Sequence, residues 1–156
     1  MRYLLIYILI LPLISCDAKN APQQKAIPNT FELGGWVAIT EGGVGGTIYM
    51  DPSTKVKKDS VVRIWTLVDY KNPQEGYVYN PSSDKSINTT YFSTTVLTEF
   101  NCAEKSWRNR EGSFHSKNMA QGHEFNSFHS ADSAQFEPVR PTSIAQIELN
   151  YVCAMP

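Results

Sequence analysis

Along the chain, the apolar and polar positions change rhythm three times. A single basic residue, Arg2, precedes an unbroken apolar run from Tyr3 to Leu11, and polar Asp17, Lys19 and Asn20 follow shortly after. A membrane-crossing helix needs roughly 20 apolar residues, so the run is too short to span and predicts a cleaved export leader over 1–15. Residues 16–33 are polar, broken by Pro22 and Pro28, and without periodicity, which reads as a tether. From residue 34 onward short β-prone runs alternate with turn residues, and this stretch, 34–156, is the expected folded domain.

Trp36 to Ile39 and Thr47 to Met50 predict a hairpin joined by the glycine-rich Glu41 to Gly46 loop. Residues 60–70 form the clearest strand. One face carries Val62, Ile64, Thr66, Val68 and Tyr70, and the other Val61, Arg63, Trp65, Leu67 and Asp69. Both faces are largely apolar, which places the strand centrally in a sheet. Lys71 to Gly76 is expected to end it. After a loop reaching about Ile87, Asn88 to Cys102 predicts a second long strand, with Phe92, Val96, Phe100 and Cys102 on one face and Tyr91, Thr95, Leu97 and Glu99 on the other. Glu104 to Ser116 and Gly122 to Ser130 predict a further hairpin turning near Lys117 to Ala120. The rhythm then becomes helical: Pro141-Thr142-Ser143 supplies a start signal, and Ile144, Ile147, Tyr151 and Val152 recur at helical spacing up to Cys153.

Cysteine and charge narrow the picture. Leu13-Ile14-Ser15-Cys16 resembles the bacterial lipobox, in which the cysteine thiol receives diacylglycerol and becomes the first residue of the mature protein. Acyl chains bury at about 0.8 kcal/mol per CH₂, so two or three of them hold a protein at a membrane surface. With Cys16 committed to lipid, Cys102 and Cys153 remain, in an oxidising compartment that favours a disulfide between them. The whole chain has 14 Lys and Arg against 15 Asp and Glu; loss of Arg2 leaves 13 against 15, a net charge of −2. That balance argues against nucleic acid as a partner, since no basic excess exists to neutralise phosphates.

Candidate chemistry is sparse. The Gly42 to Gly46 cluster lacks the Gly-Lys-Ser/Thr ending of a phosphate loop and opens no helix. Lys55, Lys57 and Lys58 read as a solvated turn. His115, His123 and His129 fall in the last hairpin, but on a regular strand the latter two stand about 20 Å apart, too far to share one ion. Depending on register, His115 meets His123 or its neighbour across the turn, which would make a two-histidine surface site; otherwise the three read as exposed or hairpin-packing histidines. There is no Gly-x-Ser-x-Gly elbow, and the scattered Ser, His and Asp residues specify no triad. The expectation is a protein that is not an enzyme and that takes no metal or cofactor.

The ordered motifs resemble the surface-adhesin protein E family of bacterial lipoproteins. They are Val62 to Gln74 (VRIWTLVDYKNPQ), Glu99-Phe100-Asn101-Cys102 with Arg108 or Arg110 after it, Met119-Ala120-Gln121-Gly122, and Pro141-Thr142-Ser143 leading to Val152-Cys153. The resemblance covers roughly residues 35–154. It implies an α+β, mainly β fold: an antiparallel sheet of about six strands with the C-terminal helix packed on one face and linked by the disulfide, often in a dimer. It also implies binding of host extracellular proteins such as vitronectin and laminin, through a basic segment leading into the strand cysteine. Here Ser86 to Asn101 contains no Lys or Arg, and the positive charges Lys105, Arg108 and Arg110 follow the cysteine instead. Phe136 stands where the family usually has tryptophan.

A size argument adds a prediction about surface. A helix of about 11 residues is roughly 16 Å long, whereas six strands make a sheet more than about 20 Å wide. One helix leaves the opposite face uncovered, with Trp65 and Leu67 or their alternates exposed there as an association site for a protein partner or a second copy. Candidate protein-binding residues are therefore Trp65, Leu67, Lys105, Arg108 and Arg110. Two functions fit: a lipid-anchored envelope protein that adheres to host matrix or plasma proteins, or a periplasm-facing accessory lipoprotein that binds another envelope protein. Asp17, directly after Cys16, resembles the inner-membrane retention signal of enteric bacteria and speaks for the second.

Overall fold

The computed structural model describes residues 35–43, 45–80, 85–131 and 133–156. The leader, the lipobox cysteine Cys16 and nearly all of the tether lie outside these residues. Among the described residues the domain consists of one sheet of eight strands, one α-helix and a single 3-10 turn at Pro52–Thr54. Six strands, β1 (Val37–Glu41), β2 (Gly46–Met50), β4 (Val61–Asn80), β5 (Lys85–Asn101), β6 (Ser106–His115) and β7 (Glu124–His129), follow one another across it in the order β1-β2-β4-β5-β6-β7. Two short strands sit off that path: β3 (Val56–Lys58) pairs with β4, and β8 (Glu137–Pro138) with β6. All pairings are antiparallel, and helix α1 (Ile144–Ala154) ends the chain.

The helix-bearing face follows the even-numbered alternation. Val62 pairs with Phe100, which pairs with Trp107, while Met50 pairs with Thr66. Met50, Val62, Ile64 and Phe100 form the buried core with Leu149 and Val152 of α1. Ser143 caps the helix by accepting the Gln146 backbone N–H at 3.2 Å, a contribution of about 1 kcal/mol. At the other end Cys153 is bonded to Cys102 (S–S 2.00 Å, Cα–Cα 5.8 Å). Lys55 Nζ donates to the carbonyls of Met155 (3.1 Å) and Pro156 (2.5 Å), so this lysine anchors the C-terminus instead of standing free in a turn. Lys57 and Lys58 are exposed on β3, a short strand where the sequence reads as a turn.

Glu148 lies one turn before Val152 on the helix. Burial raises its carboxyl from 4.5 to about 7. The native state therefore keeps a proton that the unfolded chain releases, so stability falls as pH rises from about 4.5 to about 7 and stays lower above that. Glu148→Gln should flatten this slope and raise the melting temperature at about pH 8 relative to the wild type. Parallel melting curves at about pH 5 and pH 8 check it, and an unchanged difference between the two proteins would refute the assignment.

The first strand of the central pair does not stop at Lys71 to Gly76. The pairing of β4 with β5 shifts between Asp69 and Gln74, where three extra residues on β4 form a bulge, and then resumes from Gln74↔Tyr91 to Asn80↔Lys85. Pro73, which has no N–H to give a ladder, falls inside the bulge, so the sequence reads as a terminator what the fold uses as a bend. Beyond the bend the long hairpin leans onto β7. Tyr91 stacks on Phe114 (4.2 Å between centroids) and meets Tyr70 edge-on (5.7 Å). A Cβ at Gly76 would lie 3.0 Å from Tyr91 and 3.1 Å from Phe114, so a side chain there would crowd the ring pair, and glycine lets the strand pass this close. Val78 is buried on this arm, whereas Tyr77 and Ile87 are exposed.

Candidate functional site

The face opposite the helix carries the odd-numbered alternation: Arg63, Trp65, Leu67 and Asp69 on β4, paired with Glu99, Leu97, Thr95 and Ser93 on β5. It differs from the open apolar surface that the sequence predicts. Leu67 is 0% exposed and offers nothing to a partner, and Trp65 is half-buried. Much of the rest is polar and buried, including Ser93, Thr95, Glu99, Ser113 and His115.

The β6–β7 turn closes one end of this face. Met119 N donates to Asp69 Oδ1 at 2.6 Å, Asn118 Nδ2 to Tyr70 O at 2.9 Å, and Ala120 N to Ser93 Oγ at 3.0 Å. Ser93 Oγ in turn donates to Lys117 O at 2.7 Å. Met119 and Ala120 hold positive φ here, and their amides point to the Asp69 carboxylate and the Ser93 hydroxyl respectively. The chain between Lys117 and Ala120 is thus a lid that terminates the open part of the face.

The histidines separate. His115 pairs with Glu124, not with His123, and its Nε2 lies 2.8 Å from Thr95 Oγ1. Burial lowers the pKa of His115, against the opposing pull of Glu124. His123 meets Phe125 edge-on, and His129 lies 3.4 Å from Glu111. Among the described residues no three His, Cys, Asp or Glu side chains group as a metal would require.

The other end of the face holds its most concentrated chemistry. Glu99, with a side chain 7% exposed, is clamped between two arginines. Arg63 Nε lies 3.1 Å from Oε1, and Arg108 brings Nε and Nη2 each to 2.7 Å from Oε2. The pairing register dictates this cluster, because Arg63↔Glu99↔Arg108 is one rung across β4, β5 and β6. Arg108 is further tied through Nη1 to Ala134 O and lies over the Phe136 ring, 4.3 Å from its centroid. The phenylalanine where tryptophan is usual therefore still provides the aromatic face that the guanidinium needs. Arg110 Nη1 donates to Ala131 O at 3.1 Å. Arg108 and Arg110 thus fasten the chain leading to β8, and of the three predicted cations Lys105 stands exposed in the β5–β6 turn.

Beside the clamp opens a cleft of about 320 Å³, lined by Val56, Lys58, Asp59, Arg63, Glu99 and Arg108 among others. Lys58 and Asp59 reach it because the two-residue Asp59-Ser60 connection, with Asp59 at φ 55°, folds β3 directly back onto β4. Sequence reading missed this group, although a signal was present: charged Arg63 and Glu99 interrupt otherwise apolar strand faces, and buried charges persist only when paired.

Replacing Glu99 by glutamine keeps the shape and removes the counter-charge. With Arg108 21% exposed and Arg63 52% exposed, we expect a loss of about 2–3 kcal/mol, below the 3–5 kcal/mol typical of a fully buried pair because water screens Arg63. Urea denaturation measures it. A change under about 1 kcal/mol would mean that the clamp contributes little.

No curated protein sequence matches the chain. Among solved structures, Haemophilus influenzae protein E aligns with 84% of this chain and 92% of its own at 15% identity and TM-score 0.54. Its crystal form II aligns at TM-score 0.55, with 15% identity and 84% and 95% coverage. Protein E from non-typeable Haemophilus influenzae gives 0.53 at 16% identity, covering 84% of this chain and 82% of its own. At these identities the likeness establishes a shared fold. The profile of the surface-adhesin protein E family matches residues 36–154, from the first strand through the stapled helix, and the chain belongs to that family.

Proposed function

We propose that the protein is a lipid-anchored adhesin of the bacterial cell envelope, held at the membrane through Cys16 and binding a host extracellular matrix or plasma protein with its stapled domain. Family membership across residues 36–154 is the observation that carries this reading. The leader and lipobox pattern, with the polar tether behind it, supplies the anchor and the reach. Among the described residues no helix is long and apolar enough to cross a membrane, so lipid at Cys16 would do the holding there.

Partner contacts fall on Trp65, half-buried, and on exposed Lys105, with Tyr77 and Ile87 of the long hairpin as a second exposed apolar group. Leu67, Arg108 and Arg110 take part by shaping the surface from within. A second copy of the chain is a further occupant in this reading, to be read from sedimentation of the purified protein. Asp17 favours a runner-up: an accessory lipoprotein on the inner membrane, facing the periplasm and binding another envelope protein.

Cys16→Ala should abolish incorporation of labelled palmitate and move the protein out of the membrane fraction. Protease shaving of whole cells separates the two readings. Digestion of the domain on intact cells is expected for the adhesin, and full protection there would sink it in favour of the periplasmic alternative.

A further inference from the structure

Arg63 is not used up by the clamp. Its Nε faces Glu99, and among the described residues no hydrogen bond reaches its two Nη groups. Its side chain is 52% exposed, and its guanidinium is paired with a buried carboxylate that Arg108 also holds. A planar fork of N–H donors held in this way matches a carboxylate with two parallel hydrogen bonds. Lys58 adds a second cation on the cleft wall. Lys58, Arg63 and Arg108 stand against Asp59 and Glu99, so the lining carries a net charge of +1. Val56, 59% exposed, lines the same cleft and offers an aliphatic contact beside the charged one.

Together these groups recognise a carboxylate that sits next to an aliphatic side chain. We propose that the cleft between β3 and the Arg63–Glu99–Arg108 clamp binds an acidic peptide segment, with a glutamate or aspartate carboxylate on the Nη fork of Arg63 and a neighbouring aliphatic residue against Val56. This rests on the reading of the domain as a protein-binding module and names the chemistry of its ligand. A sulfated polysaccharide fits less well. Such a polyanion needs a row of cations, whereas this cleft sets two carboxylates among its positive groups.

The test uses the purified full chain in non-ionic detergent, titrated calorimetrically with a blocked hexapeptide of alternating glutamate and leucine. Arg63→Gln should weaken binding about tenfold or more, Lys58→Gln about threefold, and raised salt should weaken it further. A peptide with glutamine in place of glutamate should not bind. Arg63→Gln should still fold, because Glu99 keeps Arg108, and its melting curve verifies that. Peptide affinity unchanged in Arg63→Gln, or heparin bound at these residues while the peptide is not, overturns the proposal. Host matrix protein is assayed in parallel. Matrix binding without peptide binding sinks the cleft and leaves the adhesin reading standing, while peptide binding without matrix binding supports the cleft and counts against adhesion.

Discussion

The chain carrying Cys102→Ser and Cys153→Ser together is expected to lose about 2–5 kcal/mol of stability relative to the oxidised protein. The bond joins residues 51 apart, and the chain-entropy account of such a loop gives on the order of 4 kcal/mol. The effect should fall first on α1. That helix has 11 residues, near the length at which isolated helices are marginal, and it is the last of the described elements. Without the bond it is held by Leu149, Val152 and the Lys55 contacts to Met155 and Pro156. Urea denaturation followed by far-ultraviolet circular dichroism should show early loss of helical signal in the variant. A stability difference under about 1 kcal/mol would mean that packing alone seats the helix.

Phe100→Ala should cost about 3–5 kcal/mol, the range for deleting a buried aromatic side chain and leaving a cavity. Phe100 is 0% exposed, lies between Val62 and Trp107 on the central strands, and belongs to the core that receives Leu149 and Val152. Guanidinium denaturation measures the loss, and a cost below about 2 kcal/mol would show that the core collapses to fill the space. Because Phe100 and Cys102 lie two residues apart and the cysteine packs against the same cluster, the two losses should not add. Combined, they should amount to less than their sum, since a helix already released no longer rewards the Phe100 contact.

Both effects could be anticipated from the sequence because they arise from strong local signals. Alternation over residues 60–70 and 88–102 grouped Val62 with Ile64 and Phe100 with Cys102 on common faces, and the 3.6-residue rhythm after Ser143 marked a helix to cover one side, but which face of the strand it covers came from the structure. Cysteine counting then linked the two. Leu149, one of the two buried helix residues, was missed because Ile147 and Tyr151 offered an equally apolar stripe. Only the packing of α1 against the sheet decides which of two overlapping stripes turns inward.

What the sequence by itself determined was periodic or covalent: the strand faces, the capped terminal helix, the Cys102–Cys153 staple, and a chain-long motif order that identified the family. Tertiary structure decided whatever depends on register and on long-range closure. Pro73 became a bend instead of a stop because β5 resumes its pairing beyond the bulge. Leu67 became fully buried while the turn at Lys117 to Ala120 closed over Asp69 and Ser93 nearby. Arg63, Glu99 and Arg108 became one clamp because three strands align them on a single rung. Hydrophobic alternation says which side of a strand a residue occupies, but it is blind to which residue of another strand stands opposite, and that pairing is where the charged cleft is made.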